Sequence, residues 1–262
     1  DQERSIIINM KENILSAKGL CKSFAHNGGQ IHILSHVDLT LYQGDFTVIM
    51  GASGSGKSTL LYALSGMDRA TAGEVLYHGK NIVTMSEKEL STLRSNDFGF
   101  IFQQLHLVSN LTLFENIVIS GYLSKTVTGE IVRSYAEELI EKMGIKHIKN
   151  HLPAQVSGGE QQRCAIARAV IHHPKLIFAD EPTGALNRHN TIEVLNLLTS
   201  INESGQSILM VTHDIHVALR ANRILYLEDG KIIGELTLPL FCPSEEKSRE
   251  KQISAWLHSM EW

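Results

Sequence analysis

The octapeptide Gly51-Ala-Ser-Gly-Ser-Gly-Lys57-Ser58 follows an unbroken apolar run, Phe46–Met50, and opens a stretch of helical pattern from Lys57. That order constrains the fold more than any other feature of the chain. A strand that ends in a glycine-rich turn and continues as a helix is the building unit of a parallel sheet covered on both faces. Glycines let the backbone wrap closely, so that successive N–H groups point at one anion, and the helix N-terminus adds favourable partial charge. Further apolar runs, Phe98–Phe102, Leu176–Ala179 and Ile208–Val211, read as buried strands. Helices are expected after them, from about Phe114, from Arg188 and from Ile215. The fold class is α/β.

Two regions break the strand–helix rhythm. The first part of the chain and Gly73–Ile82 look antiparallel, with His78-Gly79 as a turn, and Ile224–Leu227 and Lys231–Leu236 flank the hairpin signal Glu228-Asp229-Gly230. From about Glu87 to Ala169 the pattern is mostly helical; in Glu130–Met143 the apolar Val132, Ala136, Leu139, Ile140 and Met143 share one face. This predicts a helical subdomain, about 90–168, inserted in the α/β core. Residues 1–242 are expected to form one domain with an antiparallel β subdomain. Residues 243–262 hold a charged stretch, Ser244–Lys251, and then Ile253, Trp256, Leu257 and Met260 at helical spacing. They predict an amphipathic C-terminal helix, docked on its own domain in preference to binding a partner.

Composition narrows the function classes. At 262 residues, 43% hydrophobic and 20% charged, the chain can bury a sizeable core. A net charge of −4 argues against a dedicated nucleic-acid binder. Cys21, Cys164 and Cys242 are an odd count without paired spacing, which fits a reducing compartment. The histidines His32 and His36, or His213 and His216, lack companion ligands, so no structural metal is expected. No apolar run approaches the length of a membrane helix, and Asp1-Gln2-Glu3-Arg4 lacks the layout of a secretory signal; Met10 is an alternative start. The expectation is a cytoplasmic chain that does not insert in a membrane and reaches one through a partner.

The glycine loop matches G-x-x-x-x-G-K-[ST] in the context the motif requires. Gly51, Ser53, Gly54, Ser55 and Gly56 would cradle phosphates, Lys57 would neutralise the β- and γ-phosphates, Ser58 would ligate Mg2+, and Thr59 would reach an α-phosphate oxygen. Leu176–Asp180 then carries adjacent carboxylates, Asp180 and Glu181, to the edge where open α/β sheets bind ligands. Asp180 would hold Mg2+ and Glu181 would orient or deprotonate an attacking water. Ser157-Gly158-Gly159-Glu160 forms a capping box at the start of a further helix, and its glycines expose backbone donors to an anion at some cost in helix stability.

With the loop before it and Asp180-Glu181 after it, Val156–Gln161 resembles the signature motif of ABC ATPases. The resemblance covers the chain to about Leu238 and implies an ABC-type P-loop core. By resemblance, Phe24 stacks on adenine, Gln103 sits at the hinge of the helical insertion near Mg2+, and His213 contacts the γ-phosphate. It further implies a head-to-tail homodimer in which Ser157, Gly158, Gly159 and Glu160 complete the ATP site of the second copy. ATP binding and hydrolysis would then drive an integral-membrane permease from the inner face of the cell membrane.

Glu181-Pro-Thr-Gly-Ala-Leu186, Phe98–Gln103 and the loop Ala25–His32 look like the branch that serves lipoprotein release, macrolide export and peptide-antibiotic resistance; the terminal Trp256…Trp262 is similar to tails of the last group. That implies export or extraction of a peptide antibiotic, lipoprotein or amphiphilic drug. The chain departs from the family pattern at Glu160, where Gln is frequent, and at Asn187, where Asp is usual at the dimer seam; loss of that charge would alter hydrolysis rate or cross-talk. Other classes fit less well. A DNA-maintenance ATPase would carry a coiled-coil insertion, yet Gly51 and Ser157 are only about a hundred residues apart with no heptad run. A translation-associated ABC protein would carry both nucleotide domains in one chain, and a small-molecule kinase would need an acceptor pocket. A cell-division ABC ATPase signalling through its permease is the nearest alternative.

Overall fold

A computed structural model describes residues 11–26, 28–124 and 128–260. The stretch Asp1–Arg4, Met10, Asn27, Glu261 and Trp262, on which some of the expectations above fall, lie outside the described residues. Long strands come first among the described residues, β1 (Asn13–His26) and β2 (Gly29–Tyr42), followed by β3 (Phe46–Met50) and, after the glycine loop, α1 (Lys57–Leu64). A hairpin of β4 (Ala72–Tyr77) and the short β5 (Lys80–Asn81) turns at His78-Gly79, both at positive φ as a tight primed turn requires.

Next come α2 (Glu87–Asp97), β6 (Phe98–Phe102), α3 (Leu113–Leu123), α4 (Gly129–Lys142) and α5 (Gly158–Val170). The remainder alternates: β7 (Leu176–Asp180), α6 (Arg188–Glu203), β8 (Ser207–Val211), the single turn α7 (Ile215–Ala218), β9 (Arg223–Glu228), β10 (Lys231–Thr237) and α8 (Glu246–His258). The strand starts and the helix starts at Lys57, Leu113, Arg188 and Ile215 agree with the sequence pattern to within a residue, whereas the C-terminal helix starts at Glu246 and not at 243. The helical stretch is less regular than its pattern: it includes β6, and residues 103–112 form neither helix nor strand. Ala25–His32 is not a long loop. Ala25 pairs with Gln30 and His26 with Gly29, because each added ladder pair satisfies backbone groups that a loop would leave to water.

The strands form two sheets. One is antiparallel, in the order β2-β1-β4-β5; the other runs β10-β9-β3-β8-β7-β6, parallel throughout except for β10 on the edge. Strands β3, β7 and β8 are buried along their whole length, as a sheet covered on both faces demands. Alternate residues feed two cores. Val48, Ile177, Met210 and Ile224 face α3, α4, α5, α6 and α8, whereas Ile49, Phe178, Leu209 and Leu225 face α1 and the antiparallel sheet. In the first core Cys164 is buried, and burial pushes its thiol up to about 12, against the pull of Arg168. Cys242 is exposed. A brief maleimide pulse followed by mass spectrometry is expected to label Cys242 and to spare Cys164 until the chain unfolds; equal labelling in the native chain would contradict this packing.

The C-terminal helix is docked. Ile253 and Leu257 are fully buried, Trp256 meets Tyr226 edge-on at 6.4 Å, and Met260 lies over Gly234. Arg249 of α8 is also buried. Its guanidinium donates to the carbonyls of Leu219 (2.6 Å), Pro239 (2.9 Å) and Ala221, so it caps the chain leaving α7. This satisfies orphan carbonyls at a helix end with a favourably placed cation.

Candidate functional site

Strand order decides what can meet the glycine loop. β8 lies between β3 and β7, so the loop after β3 and the carboxylates after β7 flank the same short crevice at the C-terminal edge of the sheet. A cleft of about 660 Å³ there is lined by Ser53, Gly54, Gly56, Lys57, Ser58, Thr59, Gln103, Glu181 and His213, with Ala52 and Ile33 beside them. Residues from five separate segments of the chain are thus brought together.

The loop conformation follows from its glycines. Gly54 and Gly56 have φ of 84° and 101°, a region that side chains strain to occupy. Gly51 is required for a different reason: a Cβ there would lie 2.2 Å from the Leu227 carbonyl oxygen on β9. Within the loop, Lys57 donates to the carbonyls of Gly51 and Ala52, each at 2.9 Å. Burial lowers the Lys57 pKa from its ordinary value, while the charges of Glu181 and Asp180 act to raise it. The Ser55 hydroxyl is buried without a protein partner, beside amides that open a helix. An unpartnered hydroxyl in such a cradle fits a phosphate oxygen.

The carboxylates are held differently. Ser58 Oγ donates to Asp180 Oδ1 at 2.8 Å, which places two hard oxygens together as a Mg2+ site needs. The phenol of Tyr62 donates to Asp180 Oδ2 at 2.6 Å; burial, and then this bond, push the Tyr62 pKa up. Glu181 has φ of 44°, a left-handed backbone that costs a side-chain-bearing residue about 1–3 kcal/mol and tends to mark functional sites. Its N–H bonds the Val211 carbonyl at 3.0 Å, Thr212 Oγ1 donates to Oε2 at 3.1 Å, and His213 Nδ1 meets Oε1 at 2.8 Å. Sequence reasoning missed Tyr62 and Thr212. The only signal for either was adjacency, four residues past Ser58 and one before His213.

Gln103 reaches the cleft from the end of β6, its amide against the backbone of Gly184. The loop that follows it is tied down by Arg168 of α5, which donates to the carbonyls of Leu105 (2.6 Å) and His106 (2.7 Å). Ser157, Gly158, Gly159 and Glu160 do not line the cleft, nor does Phe24. Ser157 caps α5, with its N–H and hydroxyl each 2.7 Å from Glu160, and these bonds hold the Glu160 carboxyl below the usual range. Gly159 lies against Asn190 of α6, and Arg163 pairs with Glu193 at 2.7 Å, so the start of α5 is braced on the helix that follows Glu181. Asn187 caps that helix by accepting from Asn190 N at 2.9 Å. A cap needs an oxygen and not a charge, which is why Asn serves where Asp is usual. Phe24 is 44% exposed on β1, its ring 4.7 Å from the Lys22 ammonium.

A glycine loop, a Ser–Asp pair and a Glu–His pair at one sheet edge define a P-loop nucleotide-binding domain. A family model described as ABC transporter matches residues 34–184, and the chain belongs to that family of ATP-hydrolysing domains. It is 42% identical over 224 residues to the macrolide export ATP-binding/permease protein MacB of Aggregatibacter actinomycetemcomitans, covering 85% of this chain and 34% of that one. It is 37% identical to the protein of the same name from Pasteurella multocida, covering 97% and 38%. The chain therefore spans about a third of the length of these curated relatives. Among solved structures, a dimeric post-hydrolysis state of the ATP-binding cassette MJ0796 bound to ADP and Pi superposes with a TM-score of 0.80 at 37% identity, covering 87% of this chain and all of that one. Among the described residues no helix is long and apolar enough to cross a membrane.

Proposed function

We propose that the chain binds ATP as a head-to-tail pair of identical copies and hydrolyses it to drive a membrane permease that exports or extracts an amphiphilic drug, peptide antibiotic or lipoprotein. The observation that carries this reading is the pairing of Ser58 with Asp180 and of His213 with Glu181 beside one phosphate-binding loop. The relatives named for macrolide export support the amphiphilic end of the cargo range, and the dimeric cassette supports the pairing of copies.

The residues take these roles. Backbone amides from Gly51 to Gly56 and the Ser53 and Ser55 hydroxyls hold phosphate oxygens; Thr59 adds one more donor. Lys57 exchanges its loop carbonyls for the β- and γ-phosphates. Ser58, Asp180 and Gln103 hold Mg2+, which when bound offsets charge on the β- and γ-phosphate oxygens. Glu181 accepts a proton from, or orients, the attacking water, and His213 donates to the γ-phosphate. Phe24 stacks on adenine. Ser157, Gly158, Gly159 and Glu160 present the start of α5 to the γ-phosphate bound by the other copy, which accounts for their absence from the cleft of their own chain. The helices among residues about 90–168 that follow β6 form a unit that moves with the permease, and Gln103 links that unit to the site through the loop fastened by Arg168. Residues 1–242 form the working domain, with 243–262 as its C-terminal brace.

Complementation tests the shared site. Lys57→Ala and Ser157→Ala variants should each be inactive alone. Mixed in equal amounts they should regain ATPase activity, because each mixed dimer holds one site with an intact Lys57 and an intact facing Ser157. Absence of any recovery, with dimers present, would remove the case for head-to-tail pairing.

A further inference from the structure

Helix α1 carries two hydroxyls one turn apart, and both reach one carboxylate. Ser58 and Tyr62 are separated by four residues and so share a helix face. Ser58 takes Asp180 Oδ1 and Tyr62 takes Oδ2, at 2.8 and 2.6 Å. Asp180 is only 7% exposed, so each oxygen depends on the donor the protein gives it. The Tyr62 ring is half-buried and packs against the second core cluster, which fixes where its hydroxyl lies. If Ser58 serves as a metal ligand, its hydroxyl is drawn away from sole service to Asp180. The phenol is then the donor that keeps the carboxylate from turning.

We propose that Tyr62 is a positioning residue for the metal pair: its phenol holds Oδ2 of Asp180 so that Oδ1 stays turned toward Ser58. Tyr62 touches neither nucleotide nor metal and acts through Asp180. The inference rests on the reading of Ser58 and Asp180 as the Mg2+-holding pair. It extends that reading to a residue that neither the sequence motif nor the cleft lining includes.

The test is equilibrium binding of a fluorescent ATP analogue to the full chain, in EDTA and across a Mg2+ titration. Tyr62→Phe keeps the ring and removes the hydroxyl. Its affinity in EDTA should equal that of the wild type, and its thermal midpoint should be close to it. The Mg2+ concentration that half-maximally enhances binding should rise about tenfold, as for loss of an outer-shell partner. In an Asp180→Asn background the same substitution should add little, since the phenol has no carboxylate to hold. An unchanged Mg2+ midpoint would overturn the proposal, as would an equal loss of affinity with and without Mg2+, which would make Tyr62 a packing residue only. A wild-type chain whose ATP binding ignores Mg2+ would overturn the underlying reading of Ser58 and Asp180 instead, and the proposal with it.

Discussion

Glu181→Gln is expected to bind ATP as the wild type does, to hydrolyse it about a hundredfold to ten-thousandfold more slowly, and to accumulate as a dimer with ATP and Mg2+. The substitution is nearly isosteric. Glutamine can still accept from Thr212, so the left-handed backbone at Glu181 and its bond to Val211 have no reason to change. What disappears is the carboxylate that would take the proton of the attacking water and that bonds His213 at 2.8 Å. With binding intact and turnover slow, the ATP-bound pair of copies should persist. Gel filtration with and without ATP-Mg2+ checks the assembly, and phosphate release checks the rate. A monomer under saturating ATP-Mg2+ would count heavily against a shared site, and wild-type turnover would remove Glu181 from the catalytic role.

Deleting residues 243–262 is expected to destabilise the whole domain. The truncation uncovers the surface packed by the fully buried Ile253 and Leu257 and leaves the carbonyls of Leu219, Ala221 and Pro239 without the Arg249 guanidinium. Burial of two such side chains contributes about 1.5–3 kcal/mol each, so with the lost charged hydrogen bonds the cost is roughly 5 kcal/mol or more. For a chain of this size that corresponds to a fall of at least about 10 °C in Tm. Thermal unfolding followed by circular dichroism measures it. The effect should reach the site as well, because Arg249 caps the turn that immediately follows His213. A truncated chain that keeps the full Tm would show that α8 is a detachable partner-binding element.

Glu181 and the C-terminal helix differ in how far their roles are set by neighbouring residues. Glu181 stood out because a buried apolar strand ends in adjacent carboxylates, a local pattern that neighbouring residues dictate. The helix starts at Lys57, Gly158 and Arg188 were legible for the same reason: capping residues and glycines act within one turn. The tail was legible only as an amphipathic helix. Helical spacing says that one face is apolar and leaves open what covers it.

Tyr62 and Thr212 illustrate the remaining gap. Tyr62 bonds a carboxylate 118 residues away, and Thr212 one 31 residues away. Nothing in a helix-forming stretch such as Leu60–Leu64 announces a long-range hydrogen bond, because its local chemistry is satisfied by the helix itself. The hairpin of β1 and β2 was cut short by the same limit, since polar residues such as His26 and Gln30 read as loop when only composition is considered. Ladder pairing, which needs both strands at once, carries them as strand.

The phosphate loop, the carboxylate-bearing strand, the capped helix at Ser157 and the α/β class are all legible along the chain, each set by interactions within a few residues. Packing across the whole domain decided that β8 separates β3 from β7, so that Ser58 meets Asp180 over its end. It also decided that Tyr62 and Thr212 fasten the two carboxylates, and that α8 closes the core behind His213. Strand order and face-to-face packing are fixed by burial summed over the whole chain, a quantity that no local stretch contains.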